Sequence, residues 1–369
     1  MKLVFVGSRS DLPKWRECHP ERNEMKPRDL GTFGTVQVKL VRRSFDSLRS
    51  LRMTGLLMKD NCFHTLENAR RKYIMKNTIF TGMATAIVTP MTPAGIDYDA
   101  LGRFIDFQIE SGINAIVVMG TTGENATIEP ADQKKIIAYT VEKVAKRVPV
   151  IAGTGTNNTA HVLENTAAAC EVGADAILVV TPYYNKATQK GLIQHFNTIA
   201  DASSVPVILY NVPGRTGCNL LPSSVAELAK HPNIVGIKEA SGNMAQVVEL
   251  FAKCGDMIDI YSGEDALTVP MMSMGGKGTI SVVSNVAPKE AVAMTDAAAA
   301  GDFKTAAEMQ CKLLPLINTL FCEVNPIPAK AGVAALGFGE NYLRMPLTPM
   351  EPENEAKLLA EMKKLGVMA

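Results

Sequence analysis

Short aliphatic runs and segments of helical periodicity alternate eight times between Thr78 and Gly301, and this alternation limits the fold more than any other feature. The runs fall at 83–88, 115–119, 149–152, 176–180, 206–210, 234–238, 257–261 and 278–283. Helix-period stretches fill the intervals, near 99–111, 130–146, 159–172, 188–202, 222–230, 243–253, 264–273 and 288–300. Strands that read as unbroken aliphatic runs are buried on both faces, as strands of a parallel sheet are. Parallel neighbours need crossovers, and serial right-handed β/α crossovers lead to few architectures. Eight units in roughly 220 residues predict a closed (β/α)8 TIM barrel, with a doubly wound open sheet as the runner-up.

Punctuation agrees with this division. Pro130, Pro222 and Pro288 suit the first turn of a helix, while Gly112, Gly173 and Gly301 suit helix ends. Beyond Gly301 the pattern becomes wholly helical (302–320, 326–337 and 352–365). We therefore expect a barrel over 77–300 followed by a C-terminal helical region, 301–369.

Residues 1–76 have a different texture. They hold 17 Lys/Arg against 8 Asp/Glu, leaving 21 against 29 for the rest of the chain, although the total net charge is only +1. The run Leu3-Val4-Phe5-Val6 is too short for a signal-peptide core, and Arg9 and Asp11 follow it at once. The expectation is an unfolded basic leader, with Met75 opening the folded domain; a targeting or nucleic-acid arm is the alternative. The overall charge makes no case for a nucleic-acid or membrane partner. No apolar run approaches the roughly 18 residues of a membrane span. Seven cysteines without a C-x-x-C pair form neither a disulfide framework nor a zinc ribbon, which suits a reducing cytoplasm.

Strand ends carry the chemistry in parallel α/β folds. The run Ile234-Val235-Gly236-Ile237 ends in Lys238-Glu239-Ala240-Ser241. An amine held there out of water is a nucleophile towards a ketone, whereas a lysine that leaves the sheet for solvent is inert. Gly120-Thr121-Thr122-Gly123-Glu124 follows the second run, and its hydroxyls and exposed N–H groups suit a small carboxylate or an ordinary turn. Tyr210 closes the fifth run and heads Tyr210-Asn211-Val212-Pro213-Gly214-Arg215-Thr216-Gly217. A tyrosine there either satisfies its hydroxyl locally or moves protons beside an amine; Arg215 offers a planar fork for a carboxylate. Thr181-Pro182-Tyr183-Tyr184-Asn185 ends the fourth run. Gly275-Gly276-Lys277-Gly278 looks like a phosphate loop but precedes the eighth strand, at the opposite face. Gly153-Thr154-Gly155-Thr156-Asn157 lacks the third glycine of a dinucleotide fingerprint, and His161, His195 and His231 lack metal-ligand spacing.

Taken in order, the Gly120–Glu124, Thr181–Asn185, Tyr210–Gly217 and Ile237–Gly242 motifs resemble the dihydrodipicolinate synthase family of pyruvate-dependent Schiff-base aldolases. The resemblance runs from about Thr78 to the C-terminus and leaves residues 1–76 outside. It implies a lyase in which Lys238 forms an imine with pyruvate, Tyr210 and Thr121 relay protons, and Tyr184 completes the relay across a dimer interface. It further implies that Thr122 and the backbone at Ile280 hold the pyruvate carboxylate, and that Arg215 guides aspartate 4-semialdehyde. No metal or organic cofactor is implied, and the family is usually a homotetramer of dimers. A related aldolase acting on a sugar acid such as N-acetylneuraminate or 2-keto-3-deoxygluconate is the alternative, against which Arg215 in its Val-Pro-Gly-Arg-Thr-Gly context argues. A catalytically silent barrel used for binding is the other, and no relay residue is missing. Lysine-inhibited members carry a glutamate where this chain has His161, beside matching Asn157 and Tyr183; Asn125, Pro130 and Gln133 also depart from their pattern. Weak sensitivity to lysine is therefore expected.

Overall fold

The computed structural model describes residues 76–368. The expected leader lies outside the described residues, apart from Lys76. That lysine donates from Nζ to the carbonyls of Ala229, His231 and Ile234 at 2.5, 2.8 and 2.6 Å, at the N-terminal end of the sixth barrel strand.

Eight parallel strands close into a barrel. They are β1 (Gly82–Ala86), β2 (Ala115–Val118), β3 (Val150–Gly153), β4 (Ala176–Val180), β5 (Val207–Asn211), β6 (Ile234–Glu239), β7 (Asp259–Ser262) and β8 (Gly278–Ser281). Closure is between β1 and β8, in the register Gly82↔Gly278 to Thr85↔Ser281. The open doubly wound sheet is thereby excluded. A two-stranded antiparallel hairpin, Met91–Thr92 with Gly95–Ile96, stands apart from the barrel.

Helices wrap the strands: α1 (Tyr98–Glu110), α2 (Pro130–Val144), α3 (Thr159–Glu171), α4 (Gln189–Ala202), α5 (Pro222–Leu228), α6 (Met244–Cys254), α7 (Thr268–Ser273) and α8 (Pro288–Ala299). The prolines at 130, 222 and 288 occupy the first turns of α2, α5 and α8. There the missing N–H costs nothing, because no intrahelical acceptor awaits it. Asp97, Asn158, Thr188 and Asn243 accept from free N–H groups at the starts of α1, α3, α4 and α6. Three helices follow: α9 (Phe303–Leu320), α10 (Ile327–Ala335) and α11 (Pro352–Leu365).

The period of two along each strand separates two apolar layers. Ala84, Ala115, Val117, Ile151, Leu178, Ile208 and Ile280 face inward and fill the barrel. Met83, Ile116, Val118, Ile177, Leu209 and Ile237 face outward into a larger cluster shared with the helices. Leu313 and Leu316 of α9 and Leu358 and Met362 of α11 belong to that same outer cluster. Phe80 plugs the N-terminal end, stacked on Tyr261 with centroids 4.3 Å apart, while the Tyr261 hydroxyl donates to the Phe80 carbonyl. The Gly275–Gly278 loop enters β8 at this same end, where Gly82 N–H donates to Lys277 O. It is therefore remote from the strand ends that carry polar groups.

Candidate active site

Inward parity continues past the apolar filling and sets polar side chains at the C-terminal mouth. Tyr210 pairs in register with Lys238, and Lys238 with Tyr261, so all three project into the barrel. Lys238 is 6% exposed, and its Nζ lies 4.4 Å from the centroid of the Tyr210 ring. The stem of Lys238 passes Gly263 closely: a Cβ there would sit 2.9 Å from both Cγ and Cε of the lysine and 2.7 Å from Ala240 Cβ. Glycine at 263 leaves the room in which this amine lies.

A pocket of about 170 Å³ opens above Lys238. Thr121, Thr122, Tyr210 and Arg215 line it, together with Glu264 and Asn325. The Thr121–Gly123 segment is a single 3-10 turn after β2, closed by Glu124 in the left-handed region at φ 58°. Arg215 lies on a helical turn, Pro213–Thr216, and its Nη2 donates to Asn325 O at 3.3 Å. Asn325 Nδ2 donates to Thr122 Oγ1 at 3.0 Å. A fixed amine, two hydroxyl-bearing threonines, a phenol and a guanidinium thus converge on a volume suited to a small carboxylic acid.

One expected residue, Tyr184, stands elsewhere, and Ile280 is expected to act through its backbone alone. Tyr184 is 89% exposed, at φ 71°, and does not line this chain's pocket. Ile280 is buried in β8 with its side chain in the inner layer, paired in register with Ala84; Val282, two residues on, reaches the pocket.

Glu264, Asp265 and Asn325 escaped the sequence reading. Burial, with Asp265 close by, raises the Glu264 carboxyl above the usual range. Burial likewise raises Asp265, whose Oδ2 accepts from the N–H groups of Val282 and Val283 at 2.9 Å. The strand-end rule, applied to Ser262-Gly263-Glu264-Asp265 after β7, would have found the first two. Nothing local marks Asn325, which precedes α10 and reaches Thr122 only through the tertiary fold. Among the described residues no group of three His, Cys, Asp or Glu side chains is placed to hold a metal ion.

Residues 79–365 match the Dihydrodipicolinate synthetase family. The chain belongs to that family. The 4-hydroxy-tetrahydrodipicolinate synthase of Geobacter sulfurreducens is 50% identical over 285 residues, which are 77% of this chain and 98% of that protein. The crystal structure of dihydrodipicolinate synthase from Aquifex aeolicus superposes with a TM-score of 0.77 at 44% identity, covering 78% of this chain and 99% of that one. The chloride-inhibited enzyme from Acinetobacter baumannii, complexed with pyruvate, gives 0.77 at 42% identity over 79% of this chain and all (100%) of that one. The family membership and the closed barrel accord with the resemblance carried by the four motifs.

Proposed function

We propose that this protein is a 4-hydroxy-tetrahydrodipicolinate synthase, a lyase that condenses pyruvate with L-aspartate 4-semialdehyde through an imine on Lys238. The observation that carries the reading is the placement of the Lys238 amine, at the end of β6, beside Tyr210 in a pocket lined by Thr121, Thr122 and Arg215. The names of the relatives, and of the family, support this substrate pair over a sugar acid.

In this reading the Lys238 nitrogen adds to the pyruvate ketone, and the carbinolamine loses water to form an iminium. The iminium withdraws electrons, so the neighbouring methyl group releases a proton and becomes an enamine carbon. That carbon attacks the aldehyde of the semialdehyde, whose oxygen takes up a proton. Forming this bond regenerates the iminium. The amino group of the second substrate then adds to the iminium carbon, the former ketone carbon bound to the Lys238 nitrogen, and expulsion of the Lys238 amine completes the ring closure. Tyr210 and Thr121 carry protons to and from the carbinolamine; a positioned phenol is a competent acid and base for such steps. Thr122, with backbone at Ile280, holds the pyruvate carboxylate, and Arg215 offers its fork to the carboxylate of the second substrate.

Assembly and location complete the proposal. Tyr183 and Tyr184 are exposed next to each other, at 39% and 89%, which supports a partner-facing surface and hence Tyr184 acting in a neighbouring subunit's site. The resemblance to the family extends the proposal to a homotetramer built from such dimers. The free thiols Cys170, Cys218, Cys254, Cys311 and Cys322 suit a reducing cytoplasm.

Borohydride reduction in the presence of pyruvate tests the mechanism. The adduct is expected on the Lys238 peptide alone, with loss of activity, and Lys238→Arg is expected to form none. An adduct elsewhere with Lys238 unmodified would overturn the mechanism. In the same assay Arg215→Ala is expected to keep forming the adduct while use of the semialdehyde falls roughly ten- to a hundredfold, the loss of one hydrogen bond to a charged group.

A further inference from the structure

Asn325 lies 203 residues from Thr122 in sequence, yet its Nδ2 donates to Thr122 Oγ1 at 3.0 Å in the interior. A threonine hydroxyl has one proton to give and two positions at which to accept. Since Oγ1 accepts from Asn325, the Thr122 proton does not point back along that bond. Among the described residues no protein acceptor takes it. Thr122 lines the pocket, so its O–H is free to donate to an anion that occupies that space. Asn325 is itself 5% exposed, and its Oδ1 has no partner, so nothing but the amide N–H links this side chain to the pocket's hydroxyls.

From this bond we infer that Asn325 is a positioning residue, whose side-chain N–H sets the polarity of the Thr122 hydroxyl so that it donates to the carboxylate of pyruvate. The inference rests on the reading of Thr122 given above. Without the amide donor, Thr122 is free to turn its proton away from the substrate or to share it with water. The chain's C-terminal region thereby reaches into the chemistry of the β2 loop. The contact to Arg215 is made by the backbone carbonyl of Asn325 and survives any change of its side chain. Effects on the two substrates are consequently separable.

A double-mutant cycle with pyruvate KM as the readout tests this, with the KM for aspartate 4-semialdehyde as internal control. Thr122→Val and Asn325→Ala are each expected to raise the pyruvate KM about tenfold, as loss of one hydrogen bond to a charged group does. The double variant is expected to be no worse than Thr122→Val alone, because Asn325 acts only through that hydroxyl. The semialdehyde KM is expected to stay within about twofold. Asn325→Asp keeps the shape and reverses the polarity, since a carboxylate only accepts; it is expected to raise the pyruvate KM at least as much. This variant carries the same cycle if Asn325→Ala does not fold. A Thr122→Val enzyme with unchanged pyruvate KM would remove the underlying reading of Thr122. A raised KM in Thr122→Val with unchanged values in both Asn325 variants would overturn the positioning role, and so would full additivity in the cycle.

Discussion

Lys330 of α10 and Glu124 of the β2 loop form an ion pair in the interior, with side chains 2% and 0% exposed. The second oxygen of Glu124 accepts from the backbone N–H of Arg344 at 3.2 Å, and the Arg344 guanidinium donates to Thr127 O at 2.9 Å. Burial lowers the Lys330 ammonium, and the Glu124 charge opposes that shift. Glu124 closes the turn that carries Thr121 and Thr122, so the pair fastens this turn to the C-terminal helices.

Breaking one side of this pair leaves a buried charge without its partner. Glu124→Gln or Lys330→Met alone is expected to cost about 3–5 kcal/mol of stability. The double variant is expected to lose clearly less than the sum, since neither charge then remains. Urea unfolding of the four proteins measures this, and additive losses would contradict the pairing.

In the proposed dimer Tyr184, 89% exposed on its own chain, serves the neighbouring subunit's site. Lys238→Arg and Tyr184→Phe chains are each expected to be nearly inactive alone. Mixed and reassembled, they are expected to recover activity, because one site in the hybrid dimer combines an intact Lys238 with an intact Tyr184. No recovery, under conditions where hybrids are shown to form, would mean that Tyr184 works within its own chain or not at all.

His195 sets a pH limit on stability. Its ring is buried between α3 and α4, with Nδ1 2.9 Å from Thr159 Oγ1 and Nε2 unpartnered. Burial lowers its pKa from 6.5 to about 4. The unfolded chain therefore binds the proton first, and the contribution of neutral His195 is complete above about pH 6.5 and lost as pH falls towards 4. Wild type is expected to lose on the order of 2 kcal/mol more than His195→Gln between pH 7 and pH 5. Parallel stability curves for the two proteins would contradict this.

Lysine is expected to inhibit weakly. Asn157 and Tyr183 lie on loops joined by Asn185 Nδ2, which donates to Asn157 O at 2.9 Å. His161, on the exposed first turn of α3, brings no carboxylate to pair with an ammonium group. Loss of that charged partner weakens binding by roughly 1.5–3 kcal/mol. Half-inhibition well below a millimolar in an initial-rate assay would refute the argument; Glu164, one turn on and also exposed, would then be the group to replace.

The order of strands and helices was legible in the sequence, because a parallel strand buried on both faces must be an aliphatic run and its crossover must be amphipathic. The helix starts at Pro130, Pro222 and Pro288 were legible for the local reason that proline suits a first turn. Lys238, Tyr210, Thr121, Thr122 and Arg215 were legible as candidates because strand ends share one face of such a barrel. Closure itself was decided only by the register of β1 on β8, a pairing of residues nearly two hundred positions apart that no local pattern encodes. The same holds for Asn325 on Thr122 and Lys330 on Glu124: each bond depends on where the C-terminal helices pack, and packing is settled by the shared outer core rather than by the residues on either side of each partner.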